Sequence, residues 1–216
     1  MNVLEFIQTH KVITICRKVY GEDLKNLAAA LCDGGVKLIE VTFDQADPDC
    51  ISKTAEAITM MNKEFEGKML FGAGTVLSEE QVKAASDAGA AYIISPNVNE
   101  KVIKATKALG MVSIPGAMTP TEIIAAHDLG ADIVKLFPAG YLGFRYIKDI
   151  LGPISHVKLC ATGGVTEETW GQYLDLGFVG AGISSRLCDK KCIAAGDWAE
   201  VTRRAAAFTE ITKQHA

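Results

Sequence analysis

A lysine stands inside an apolar run, "ADIVKLFPA" at 131–139, with Ile133 and Val134 before Lys135 and Leu136 and Phe137 after it. The run is short, carries β-branched residues and is closed by Pro138, which predicts a buried strand rather than a helix. A buried ammonium is costly unless paired, and desolvation favours the neutral amine. A second run, "KLIEVT" at 37–42, carries Glu40 in the same manner. Strand alternation groups Ile133, Lys135 and Phe137 on one face, and Leu38, Glu40 and Thr42 on one face of the other run. If both faces line one cavity, amine and carboxylate offset each other's desolvation. One reading is then a structural ion pair, although buried pairs often stabilise little. The other is chemical. A desolvated amine is a nucleophile toward a carbonyl, and the resulting iminium accepts the electrons released when a carbon–carbon bond β to it breaks. A carboxylate close by shuttles the protons, directly or through one water.

The rest of the chain supplies elements to position such a pair. The strand in the first run is predicted at "DIVKLF" (132–137); besides it and "KLIEVT", strands are predicted at "VITIC" (12–16), "MLFGA" (69–73), "AYIIS" (91–95), "MVSIP" (111–115), "HVKLCAT" (156–162) and "FVGAG" (178–182). Helical patterns lie between them. "GEDLKNLAAALCDGG" places Leu24, Leu27, Ala28 and Leu31 at helical spacing before the Gly34-Gly35 stop. Ser78, Thr119 and Thr166 are predicted N-caps, with Pro120 in the first turn after Thr119. Eight β/α alternations over the single domain 1–216 predict a (β/α)8 TIM barrel, with residues 1–10 as an extra helix over its bottom. An open doubly wound sheet is the competing arrangement. It would be expected to show a glycine-rich dinucleotide turn after its first strand, where "RKVYGED" stands instead.

In such a barrel the chemistry sits at the C-terminal ends of the strands. Those ends carry Arg17, Glu40 with Thr42, Thr75, Ser95, Lys135, Thr162 and Ser184-Ser185. The turns "TGGVT" (162–166) and "GAGISS" (180–185) follow strands seven and eight. Glycines there serve tight turns, or let backbone N–H groups approach a phosphate; the position after the last two strands favours phosphate.

Composition narrows the field. A net charge of −4 with scattered Lys and Arg gives no electrostatic case for nucleic acid or an anionic membrane. No apolar run approaches the ~18 residues of a membrane span. The start "MNVLEFIQTHKV" lacks the basic, apolar and small-residue order of a secretory leader, so a cytoplasmic protein is expected. Six cysteines in mostly apolar or helical surroundings read as free thiols in a reducing compartment, and the pair Cys188/Cys192 is weak as a zinc or redox motif. The four histidines are dispersed and form no ligand cluster, so no metal is expected.

With these elements in place the chain resembles the 2-keto-3-deoxy-6-phosphogluconate / 4-hydroxy-2-oxoglutarate aldolases. The resemblance runs in order through "GGVKLIEVT", "FGAGTVLSEEQ", "AYIISPN", "SIPGAMTPTE", "VKLFPA", "ATGGV" and "GISS", over roughly residues 11–210. It implies class I aldol cleavage of a phosphorylated 2-keto-3-deoxy sugar acid to pyruvate and glyceraldehyde 3-phosphate, without metal or cofactor. It implies Lys135 as the Schiff-base lysine and Glu40 as the proton shuttle. Thr75 and Pro96 would lie near the pyruvyl part, and Phe137 and Thr162 would line the pocket. Gly163, Gly164, Gly182, Ser184 and Ser185 would hold the phosphate. It also implies a homotrimer.

There is one departure. Many members of the family place an arginine just after the "EVT" strand, where it holds the substrate carboxylate; Phe43-Asp44 stand there in this chain. Relatives that cleave the galactonate-derived substrate carry an arginine at the end of the first strand instead, the position of Arg17. Its planar fork suits a carboxylate. The competing role for Arg17 is an ion pair with Glu40 or Asp44. Two other functions fit the same barrel: a phosphosugar isomerase or epimerase without a Schiff base, and a catalytically silent barrel that binds phosphosugar acids.

Overall fold

Each predicted strand run forms a strand, shorter than predicted at most ends. The computed structural model describes residues 1–215. The strands are β1 (Val12–Cys16), β2 (Leu38–Thr42), β3 (Leu70–Gly74), β4 (Tyr92–Ile94), β5 (Val112–Ile114), β6 (Gly116–Ala117), β7 (Val134–Leu136), β8 (Leu159–Thr162) and β9 (Gly180–Ile183). The ninth strand is a finding of the structure. The fifth predicted run ends at Pro115, which has no N–H to give a ladder; β5 stops before it, and β6 forms just beyond the predicted run.

All strands are parallel, in the order β5-β4-β3-β2-β1-β9-β8-β7-β6. Because only Pro115 separates β5 from β6, the ends of the order meet. Ile133 N–H donates to Ser113 O at 3.3 Å and Lys135 N–H to Pro115 O at 2.8 Å, which closes the sheet into a barrel. A (β/α)8 barrel is therefore the observed architecture.

The outer layer is α2 (Gly21–Asp33), α3 (Cys50–Glu64), α4 (Glu79–Asp87), α5 (Glu100–Ala108), α6 (Pro120–Asp128), α7 (Ala139–Leu151) and α8 (Glu167–Asp175), then the short α9 (Lys190–Ala195) and the long α10 (Trp198–Gln214). The caps follow the sequence. Ser78 accepts from Gln81 N–H, and Thr119 forms a reciprocal capping box with Glu122 ahead of Pro120. At α8, Thr169 Oγ1 accepts the Thr166 N–H at 2.9 Å. Gly143, at φ 73°, interrupts α7 and splits it into two arms.

Alternation sorts the strand residues into two cores. Outward positions such as Val12, Ile39, Val41, Phe71, Ile93, Val134, Leu136 and Leu159 pack under the helices. Inward positions Ile13, Leu38, Tyr92, Ile94, Val112, Ile114, Ile133 and Cys160 fill the lower barrel. The extra helix α1 (Val3–His10), capped by an Asn2/Glu5 box, inserts Ile7 into that inner cluster. Fully burying an isoleucine is worth about 1.5–3 kcal/mol, so α1 acts as a packed plug for the bottom of the barrel. Apolar filling ends one layer up, at the level of Glu40 and Lys135. Among the described residues no helix is long and apolar enough to cross a membrane. All six cysteines are free.

Candidate active site

The inward faces that fill the lower barrel carry polar groups at the top. On β2, Glu40 follows Leu38 at the interval of two, in register with Ile15 of β1 and Gly72 of β3. On β7, Lys135 follows Ile133, in register with Gly116 of β6 and Cys160 of β8. Glu40 is 2% exposed and Lys135 5%. No direct ion pair joins them among the described residues. Glu40 Oε2 is buried without a hydrogen-bond partner, an expensive state for a group whose role is only structural. Burial pushes the Glu40 carboxyl above its ordinary range, and the positive charges of Lys135 and Arg17 oppose that shift. The Lys135 Nζ stands 4.9 Å from the centre of the Phe137 ring, a cation–π contact two residues along the same face.

Space for the Glu40 carboxyl comes from a glycine. A Cβ at Gly74 would lie 2.8 Å from Glu40 Cδ and Oε1 and 3.0 Å from Thr42 Cγ2. Cys160 shares the interior with the pair, and burial pushes its thiol up to about 12. It stays a neutral thiol at physiological pH, so it is no rival nucleophile. That leaves Lys135 as the buried group suited to attack a carbonyl, and Glu40 as the group suited to exchange protons beside it.

Cavities open above this layer. One, of about 230 Å³, is lined by Phe137, Thr162, Gly163, Gly164, Gly182, Ser184 and Ser185, together with Arg17 and Arg186. The predicted phosphate residues are thus brought together on one wall. Gly163 and Gly164 adopt φ of 87° and 80°, the left-handed region that glycine occupies without strain. Val165 and Thr166, which lead into α8, line the same cavity, so a helix N-terminus with its partial positive charge borders it. The second cavity, of about 320 Å³, holds Thr75 and Pro96 with Arg17, Lys18, Thr42 and Asp44. Arg17 borders both.

Arg17 is exposed and forms no ion pair among the described residues. Asp44 is engaged instead by Lys18, with Nζ 2.8 Å from Oδ2. The competing ion-pair role for Arg17 is therefore not what the structure shows. Thr75 sits at φ 57°, strained for a β-branched residue, directly after β3. Gln45 Nε2 donates to Thr75 O at 2.8 Å, and Gln81 Nε2 donates to Gln45 Oε1 at 3.0 Å.

Sequence reasoning missed three features here. Arg186 borders the smaller cavity and is held by Glu167 through two bonds, 2.9 and 3.0 Å. Its signal was its place immediately after Ser184-Ser185. The Gln81–Gln45–Thr75 chain had no sequence signal, because it joins residues 36 and 30 positions apart. Lys18 was passed over because a lysine in a polar loop draws no notice. Among the described residues, no three His, Cys, Asp or Glu side chains gather to hold a metal ion.

Comparison with known proteins agrees with this geometry. The family model for KDPG and KHG aldolase matches residues 3–204. The chain is 34% identical to the 2-dehydro-3-deoxy-phosphogluconate aldolase of Treponema pallidum over 203 residues, 94% of this chain and 93% of that protein. It is 32% identical to the 2-dehydro-3-deoxy-6-phosphogalactonate aldolase of Escherichia coli over 205 residues, 94% of this chain and 95% of that one. The structure of KDPG aldolase from Legionella pneumophila, with pyruvate captured at low pH as a covalent carbinolamine intermediate, superposes with a TM-score of 0.84 at 28% identity, covering 95% of this chain and 97% of that one. An imine-forming chemistry read from one buried lysine, a closed parallel barrel and a match along nearly the whole chain meet in one conclusion: this chain belongs to the KDPG and KHG aldolase family, whose members are carbon–carbon lyases.

Proposed function

We propose that this aldolase cleaves a 2-keto-3-deoxy-6-phospho-sugar acid, of the gluconate or galactonate series, to pyruvate and glyceraldehyde 3-phosphate. The observation that carries this reading is the amine of Lys135 and the unpartnered carboxyl of Glu40, both buried in the upper layer of one barrel. Lys135 attacks the C2 carbonyl to give a carbinolamine, which loses water to form an iminium. Glu40 takes the proton of the C4 hydroxyl, directly or through one water, as the C3–C4 bond breaks. The electron pair of that bond moves into the iminium and leaves an enamine, and the aldehyde departs. Protonation of the enamine carbon and hydrolysis then release pyruvate and the free lysine. The raised pKa of Glu40 suits both halves of this duty, since an acid–base group works best when its pKa approaches the working pH.

Arg17 holds the substrate carboxylate, with Thr75 and Pro96 around the pyruvyl part. Phe137 and Thr162 line the reacting chain, and the turns at Gly163-Gly164 and at Gly182, Ser184 and Ser185 hold the phosphate. The same active site would accept 4-hydroxy-2-oxoglutarate, which yields pyruvate and glyoxylate. We further read residues 1–216 as one domain that assembles as a homotrimer in the cytoplasm, a reading supported by family membership and by six free thiols. A coupled pyruvate-release assay on the gluconate-derived, galactonate-derived and unphosphorylated substrates tests the assignment. Phosphorylated substrates are expected to show the higher kcat/KM. Equal kcat/KM for the unphosphorylated substrate would remove the phosphate site from the account.

A further inference from the structure

Asp44 poses an electrostatic problem for the proposed carboxylate site. It lines the same 320 Å³ cavity as Arg17, Thr75 and Pro96. Its carboxylate therefore borders the cavity proposed for the substrate's carboxylate, and like charges in a partly desolvated site repel. It is also a candidate partner for Arg17, which would consume the cation the substrate needs. Asp44 does not pair with Arg17: Lys18 takes it at 2.8 Å, and the Ala46 N–H donates to its other oxygen at 3.3 Å. Lys18 reaches this position from a backbone at φ 58°, which is unfavourable for a lysine. A conformation of this kind persists only where the surroundings hold it. The Lys18 contact holds the Asp44 carboxyl below the usual range, so it stays charged at any working pH, and its cation partner must stay in place. The other nearby carboxylate, Asp47, is bound separately by Lys53 at 2.7 Å.

We infer that Lys18 is a positioning residue for substrate recognition: by binding Asp44 it leaves Arg17 free, and gives the cavity the single net positive charge that one substrate carboxylate requires. The inference rests on the proposed role of Arg17. It assigns to the sequence "CRK" a division of labour in which Arg17 meets the substrate and Lys18 cancels the chain's own aspartate.

The test is steady-state kinetics with pyruvate release as readout, at low and at high salt, on Arg17→Ala, Lys18→Ala, Asp44→Asn and the double variant Lys18→Ala/Asp44→Asn, with a melting curve for each. Lys18→Ala is expected to raise KM by about two- to fivefold, the range that partly exposed charge pairs reach. Its kcat should change less than its KM, and the effect should shrink at high salt. The double variant should return KM toward the wild-type value, because the repelling charge is gone with its partner. A purely structural role for the pair would lower the melting temperature of both Lys18→Ala and the double variant, without the recovery of KM. If Arg17→Ala raises KM but Lys18→Ala does not, or if the double variant is no better than Lys18→Ala, the inference about Lys18 is wrong and the anchor stands. If Arg17→Ala itself leaves KM unchanged, the anchor reading falls and this inference falls with it.

Discussion

Gly74→Ala isolates the placement of the Glu40 carboxyl without touching its chemistry. A methyl at position 74 would stand 2.8 Å from Glu40 Cδ and Oε1 and 3.0 Å from Thr42 Cγ2, where ordinary contact begins at 3.4 Å. The carboxyl must retreat by more than half an ångström, and it has no route to solvent at 2% exposure. Overpacking of this degree costs about 1–3 kcal/mol. At about 2–4 °C per kcal/mol for a chain of this size, the melting temperature should fall by a few degrees while the barrel persists. The catalytic consequence is larger, since a displacement near 1 Å of a reacting group can cost about 10²-fold. The expected result is a folded variant with kcat lowered by about 10²-fold that still forms the imine, because Lys135 stands on another strand. Gly152→Ala serves as the control: its Cβ would meet only Asp149 O at 3.8 Å, and its φ of −54° suits alanine. Circular dichroism melts and a coupled pyruvate assay on both variants give the comparison. Wild-type kcat in Gly74→Ala would show that the carboxyl need not stand where the structure puts it, and would refute the argument from its placement.

Glu40→Gln should keep imine formation and lose about 10²–10⁴-fold in turnover. Its stability relative to wild type should also depend on pH. Burial raises the Glu40 pKa, so its contribution to stability is complete at acid pH and is lost as pH rises through the folded-state pKa. Glutamine has no such loss, and the melting temperature of Glu40→Gln relative to wild type should rise between pH 4 and pH 8; a flat difference would contradict the raised pKa. Arg17→Lys should raise KM more than it lowers the melting temperature, since an ammonium lacks the bidentate fork. Wild-type KM with lost stability would instead place the carboxylate among the backbone N–H groups near Gly74-Thr75. Gln81→Leu should cost about 1–3 kcal/mol by leaving the Leu77 N–H without its 2.7 Å partner. It should also weaken substrate binding, because Gln45 and the strained Thr75 lose their support; a stability loss with unaltered KM would confine Gln81 to the fold.

The barrel was legible because two periodicities repeat without interruption. Period-two runs such as "VITIC" and "KLIEVT" alternate with capped helical patterns that end at glycine, and the inner and outer faces fell where alternation put them. Lys135 and Glu40 were legible for a different reason: a charge inside an apolar strand violates the local pattern, and the structure buries both of them. The short β6 beyond the fifth predicted run was hidden because it forms only by pairing with β7 across the closing seam. The fate of Asp44 was hidden too. Sequence places it after the strand that bears Glu40, but whether Arg17 or Lys18 binds it depends on a left-handed turn at Lys18 that no local motif announces. Contacts between distant loops, as in the Gln81–Gln45–Thr75 chain, leave no periodic trace at all.

The account stands on a covalent bond between Lys135 and the keto acid. Incubation with pyruvate and borohydride, followed by intact mass and peptide mapping, reads that bond directly. The account predicts one reduced pyruvyl group per chain, on Lys135, absent in Lys135→Ala and retained in Glu40→Gln. Label on a different lysine, or unlabelled protein that still turns over substrate, would contradict it.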